Sequence, residues 1–430
     1  MSLDRTPSSS IWRNRPFLLL WTAQAISQTA QNAIWFALMV LVEEATRSTT
    51  QIGLAIVSFV LPSVIFTVPA GVLVDRVDKR LVLVSTNWLR AFVVLGYLVF
   101  SSSVGLIYAV TFVFSIISQF FLPAEAAMIP SLVGRDRLIT ANSLFNLTFT
   151  ISQLVGIVFI APIIIKVFGT GPLFVLIAFL FGVCGLLVFP IPSRGRHHVE
   201  GMAEEEIQAV RRFFVDLRET WHFLITDRVA TIAMLVLTSG ATLTLITAML
   251  APSYMVRVLG INADDTVYIL APAGFGMALG ALLIGRLTRR FSKELLVVAG
   301  IGGVALGMGL LAAVSPVWSA ILPKGAVGQV VAVMLIAGVT GFSLSNVLIP
   351  SQTILQEQAP MASRGRIFAV QIMLGNLASL LPLVFVGGLA DVIGVSLVLA
   401  LLALSMAILG VVTFRSYRSR IWGEPTGTAA

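Results

Sequence analysis

The chain has 430 residues, of which 57% are hydrophobic and only 11% charged, and its mean hydropathy is +0.98. Soluble globular domains carry about 25% charged residues, so this chain lacks the polar groups to cover its own surface in water and takes lipid as its solvent. The net charge of +8 would suit nucleic acid, but the basic residues punctuate apolar segments instead of clustering with stacking aromatics, which removes that partner.

A helix needs about 20 apolar residues to cross a bilayer core. Such runs are predicted at 17–42, 52–73, 81–101, 105–130, 138–165 and 170–190, then at 229–256, 266–287, 295–314, 326–350, 366–390 and 393–414. The reading is an all-α membrane protein: a six-helix bundle over 1–192, a linker over 193–227 and a second six-helix bundle over 228–430. The polar start, Met1 to Ser10, leads into a full-length span with no small-residue cleavage site, so no cleaved signal peptide is expected. The one cysteine, Cys184, has no intrachain partner, which excludes internal disulfides.

Lys and Arg set the orientation. With the amino terminus inside, 23 of the 28 fall on cytoplasmic segments or helix ends, and only Arg47, Lys166, Arg257 and Lys324 fall outside; Arg90 lies within a span. Both termini are therefore expected in the cytoplasm. The halves also echo each other. Gly71 to Leu81, after the second span, and Gly285 to Leu295, after the eighth, share G-x-L-x-x-R-x-x-K-x-L at an offset of 214 residues. Two parallel repeats of this kind hold substrate between them near the midplane.

In the linker, Ile207, Val210, Phe214, Leu217, Trp221 and Leu224 recur at three- and four-residue steps, behind Glu204 to Glu206 and among Arg211, Arg212 and Arg218. This predicts an amphipathic helix on the inner membrane surface, a tether between the halves. His197 and His198 lack ligand partners at metal spacing, and no metal or cofactor is expected. There is no Walker loop and no Ser/His/Asp or Cys/His arrangement, so the chain does not read as an enzyme.

At Gly71, Asp75, Arg76 and Arg80 the sequence resembles the major facilitator signature G-x-L-x-D-R-x-G-R-[KR], with Asp78 where the family usually has Gly. Pro123-Ala-Glu-Ala-Ala-Met-Ile-Pro130-Ser-Leu-Val133, then Leu138-Ile-Thr-Ala141-Asn142, together with Arg90 and Arg364-Gly365-Arg366, is similar to the branch containing enterobactin exporters and macrolide-efflux proteins. The resemblance covers essentially the whole chain and implies secondary transport, commonly efflux. Lysophospholipid transporters share much of the pattern, so lipid movement stays open. Relatives in that branch often have Gly-Asp where this chain has Ala30-Gln31, and Gln cannot titrate. Gly156 and Ala161-Pro162 are a remnant of the Gly-Pro-rich run of superfamily antiporters. The resemblance also implies that helices 1, 4, 7 and 10 line the cavity while 3, 6, 9 and 12 face lipid.

Polar groups inside lipid are costly and tend to face a bundle interior or a cavity. Gln24, Gln28 and Asn32 share one face of helix 1, and Asn142, Asn146 and Gln153 share one of helix 5; Thr242, Asn346 and Gln371 sit in helices 7, 10 and 11. Gln24, Gln28, Asn32, Asn146, Thr242, Asn346 and Gln371 form the candidate cavity, with helix–helix packing as the other reading of each. Helix 7 hydroxyls can also bond their own backbone. Arg90 and Glu125 are the charges well inside the spans; the expectation is an ion pair, structural or serving proton coupling. The remaining acids considered, Glu43, Glu44, Glu357 and Asp391, are placed at helix ends within reach of water.

The combined reading is a monomeric secondary transporter of a bacterial inner membrane. It exports a small amphiphilic solute, with protons as a coupling ion and lipid as its other partner. Gating is assigned to Gly71, Asp75, Arg76, Arg80 and Arg364. The rivals are a lipid translocator or uptake facilitator on the same fold, and a non-transporting membrane scaffold or sensor.

Overall fold

The computed structural model describes residues 11–134, 137–192, 226–318, 325–359 and 364–422. Among them are twelve helices long and apolar enough to cross a membrane, and no strand. They are α1 (Arg15–Thr46), α2 (Thr49–Arg76), α3 (Lys79–Phe100), α4 (Val104–Leu132), α5 (Leu138–Phe168) and α6 (Thr170–Val188). Then follow α7 (Arg228–Leu259), α8 (Val267–Leu287), α9 (Lys293–Trp318), α10 (Val327–Gln358), α11 (Arg364–Ile393) and α12 (Val395–Trp422). Each predicted run falls on one of them. The predicted amphipathic linker helix, with its two histidines, lies outside the described residues.

Local chemistry explains the irregular points. Within α5, Val155–Ile160 forms a π turn, closed by Ala161 N–H onto the Gly156 carbonyl. Pro162 has no N–H to give to the preceding turn, and its ring crowds that turn's carbonyl, so the helix widens there instead of breaking. α7 likewise ends in a π turn, Met255–Leu259, just after Pro252. α5 passes to α6 through Gly169 at φ 89°, and α11 to α12 through Gly394 at φ 87°. Only a residue without Cβ makes so short a reversal cheaply, and the two stand at equivalent points of the halves.

The chain forms two compact units, Met1–Leu41 with Ser58–Glu200, and Val42–Val57 with Gly201–Ala430. In the first, α3 packs on α4 and α6. The Tyr97 and Thr111 hydroxyls are 2.9 Å apart, and the Tyr97 ring stacks on Phe174 at 4.8 Å. In the second, α9 packs on α10 and α12, the same relation six helices later, and α10 also packs on α8. Lipid tails are as apolar as Leu, so helices there are held by close packing rather than by burial from water. Glycine supplies it. A Cβ on Gly276 would stand 2.0 Å from the Gly338 carbonyl oxygen, and one on Gly341 2.0 Å from that of Ala273. The α8 and α10 backbones therefore touch. No large hydrophobic left exposed belongs to α1, whereas α3, α6, α9 and α12 each carry several.

Candidate functional site

The signature loop is built by local capping. Asp78, where the resembled signature has Gly, takes φ −58° and accepts the Arg80 N–H at 3.0 Å, capping α3. The turn needs no left-handed residue, so Asp in place of Gly is accommodated. Lys79 Nζ donates to the Asp75 carbonyl at 2.8 Å, and the Arg80 guanidinium lies 4.8 Å over the Phe189 ring. Asp75 and Arg76 are exposed, and a Cβ on Gly71 would meet nothing within 4 Å. Arg364 opens α11, and its side chain lies outside the described residues.

The first unit encloses the two intramembrane charges. Arg90 is wholly buried and Glu125 is 3% exposed. The expected ion pair is not formed. The Arg90 guanidinium lies 4.3 Å over the Phe121 ring and 5.5 Å from that of Phe181, and its Nη1 donates to Ser27 Oγ at 3.1 Å. Phe121 stands one turn before Glu125 on α4, and its ring face takes the place assigned to the carboxylate. Arg90 Nε and Nη2 and Glu125 Oε1 have no hydrogen-bond partner among the described residues, and neither do Asn87 Oδ1 and Gln24 Oε1. Such a cluster is costly unless something satisfies it.

The candidate cavity residues divide. Asn32 Nδ2 bonds the Gln28 carbonyl at 2.8 Å, and a Cβ on Gly156 would reach within 2.8 Å of the Asn32 Cβ. Asn32 is thus part of the α1–α5 contact. Thr242 shares a 2.7 Å hydrogen bond with Ser379 of α11, while Thr244 and Thr247 bond the carbonyls four residues back. Asn346 Nδ2 likewise bonds the Phe342 carbonyl at 2.9 Å, while its Oδ1 and Gln24 Oε1 are buried with no partner among the described residues. Gln28 and Gln371 are buried, and Asn146 is exposed.

A second polar cluster, inside the second unit, joins the starts and ends of helices that the Lys/Arg pattern assigns to the outer side. Asp391 near the end of α11 accepts from Thr49 N–H at 2.8 Å and Thr50 N–H at 2.9 Å. It also accepts from the Ser48 hydroxyl at 2.7 Å and the Thr50 hydroxyl at 2.6 Å, and pairs with Arg257 Nη1 at 2.9 Å. The negative charge thereby caps the positive end of α2. Arg257 reaches on to the Arg47 carbonyl. Below it, Ser253 donates to Glu43 Oε2 at 2.8 Å and receives the Thr49 hydroxyl at 2.9 Å. A Cβ on Gly387 would come within 3.0 Å of the Thr49 carbonyl oxygen, so α11 and the start of α2 are in contact. The expectation that Glu43 meets water is corrected here. Its side chain is wholly buried, because α7 supplies Ser253 to cover the end of α1.

Twelve spans, the α3/α9 packing repeat and the capped signature loop define a membrane transporter of the major-facilitator type. The Major Facilitator Superfamily profile matches residues 20–382, and the chain belongs to that superfamily. It is 25% identical over 411 residues to an uncharacterized MFS-type transporter, YfiS of Bacillus subtilis (strain 168), covering 94% of each chain. It is 24% identical over 408 residues to the multidrug efflux pump Tap of Mycolicibacterium fortuitum, covering 92% of this chain and 94% of that one. Among solved structures, the nucleoside transporter NupG superposes with a TM-score of 0.73 at 14% identity, over 94% of this chain and 99% of that one.

Proposed function

We propose that the protein exports a small amphiphilic solute by alternating access, using proton movement as its energy source. The observation that carries this reading is the set of amides left unfilled in otherwise apolar helices. Gln24 Oε1 in the first unit and Asn346 Oδ1 in the second are buried with no partner among the described residues. An apolar surface with a few unspent hydrogen-bonding groups suits a solute with a greasy body and a polar end better than a sugar or a small ion. The relative named a multidrug efflux pump, similar over nearly the whole length at 24% identity, supports the outward direction.

In this reading Gln24, Gln28, Asn346 and Gln371 touch solute, while Asn32 and Thr242 hold helices together. Asp75, Arg76 and Arg80 form the gating loop. Glu125 takes up a proton on one side and releases it on the other, and Arg90 beside it keeps its charge throughout. The protein acts as a monomer in a bacterial inner membrane with both termini cytoplasmic.

The test is a thermal-shift screen of purified protein with amphiphilic drugs, siderophores and lysolipids, run on wild type, Gln28→Ala and Asn346→Ala. A solute that binds the folded state raises its melting temperature, by an amount that grows with the logarithm of its concentration over its Kd. Drug-induced stabilisation that shrinks in both variants, whose own melting points are unchanged, supports the reading. Stabilisation by lysolipids alone would move the assignment to lipid translocation.

A further inference from the structure

The inner end of α8, as the Lys/Arg pattern orients it, differs from its counterpart in the first half. In the signature loop, Lys79 bonds a backbone carbonyl and Arg80 covers Phe189. In the matching stretch of the second unit, Lys293 is taken by Glu357. Arg286 and Arg289, however, have no carboxylate or hydrogen-bond partner among the described residues. Instead they border a shallow, open depression on the surface of α8 together with Leu282 and Gly285. A Cβ on Gly285 would meet nothing within 4 Å, so no other helix packs on the backbone there.

The rest of this helix face is apolar. Phe275 and Leu279 are each 53% exposed and Leu282 is 80% exposed. At 275, 279, 282, 286 and 289 the spacing puts all five residues on one side of the helix. The α10 contact is made from a different side, through Gly276 and Gly280. α8 is also the least buried span, with 11% of its most apolar window covered against 61% in α1. What covers this face must be greasy along its length and negatively charged at its end.

We propose that Arg286 and Arg289 of α8 hold the phosphate of an anionic phospholipid, one acyl chain of which lies along Leu282, Leu279 and Phe275. Guanidinium matches phosphate geometrically, and cations beside the negative leaflet surface attract such headgroups. Two charges at this depth raise affinity for an anionic over a zwitterionic lipid by about tenfold or more.

The experiment is native mass spectrometry of the full-length protein titrated with phosphatidylglycerol, phosphatidylethanolamine or inorganic phosphate. It is run on wild type, Arg286→Gln/Arg289→Gln and Arg415→Gln/Arg418→Gln. The last variant removes the same charge from the exposed end of α12. The proposal expects about tenfold tighter retention of phosphatidylglycerol than of phosphatidylethanolamine by wild type and by the α12 variant. It expects no preference in the α8 variant, and no retention of phosphate alone. Equal loss in both variants would mean general charge attraction, and binding of phosphate alone would mean an ion site; either result overturns the proposal, as does wild type without a preference.

Discussion

Asp391 and Thr50 are joined twice, the Thr50 backbone N–H at 2.9 Å and its hydroxyl at 2.6 Å both reaching Asp391 Oδ2. One carboxylate on α11 thus caps the start of α2, and with Arg257 and the buried Glu43–Ser253 bond it ties four helices at one end of the spans.

Removing that carboxylate should loosen this end. Asp391→Ala leaves two backbone donors without their acceptor and Arg257 without its counter-ion. The expected cost is on the order of 2 kcal/mol, in the range of a lost helix cap made with a charged group. A cysteine placed at the buried Ala251, in a Cys184→Ser background, should then react faster with a polar maleimide than it does with Asp391 intact. Unchanged labelling and an unchanged melting temperature would show that the cluster does not hold these ends together.

Arg90 should behave as a group bound to aromatic rings. A double-mutant cycle between Arg90→Met and Phe121→Leu is expected to give a coupling of about 1–2 kcal/mol, as for a desolvated cation over a ring. The Arg90→Met and Glu125→Gln cycle should give less, because no ion pair joins them. Arg90→Lys should be poorly tolerated, since an ammonium lacks the planar guanidinium that lies on Phe121. A larger coupling to Glu125 than to Phe121, read from melting curves in detergent, would reverse this assignment.

The glycine contact between α8 and α10 makes a sharp prediction. Gly276→Ala puts a methyl where the Gly338 carbonyl oxygen stands at 2.0 Å, so the helices must separate and folded yield should fall steeply. Gly302→Ala on α9, where a Cβ meets nothing within 4 Å, should be neutral or stabilising by up to about 1 kcal/mol. Similar yields and melting points for the two variants, measured by size-exclusion fluorescence, would refute the contact.

The span count was legible because it depends only on apolar runs about 20 residues long. The signature loop was legible because its residues cap one another locally. What escaped depends on partners far along the chain. Glu43 lies three residues from the end of α1, which reads as a watery position until Ser253, 210 residues later, covers it. Asp391 looked like one more acid at a helix end, although the run Ser48-Thr49-Thr50 at the start of α2 is the kind of donor-rich segment that seeks a carboxylate. Arg90 and Glu125 were correctly singled out as buried charges. Their mutual pairing failed because the Phe121 ring, one turn before Glu125, takes the Arg90 guanidinium, and no spacing rule within α4 reveals that choice. Asn32 shared its helix face with Gln28, yet contact at Gly156 gives it a packing role.

The central claim is solute export driven by protons, and flux in proteoliposomes with an imposed pH gradient tests it most directly. Fluorescent amphiphilic cations would be followed in vesicles carrying wild type, Glu125→Gln or no protein. The account predicts saturable, gradient-driven transport by wild type, with Glu125→Gln losing the response to the gradient while still exchanging solute across the membrane. Fluxes equal to those of empty vesicles for every solute in the panel, or equal gradient-driven rates in wild type and Glu125→Gln, would contradict it.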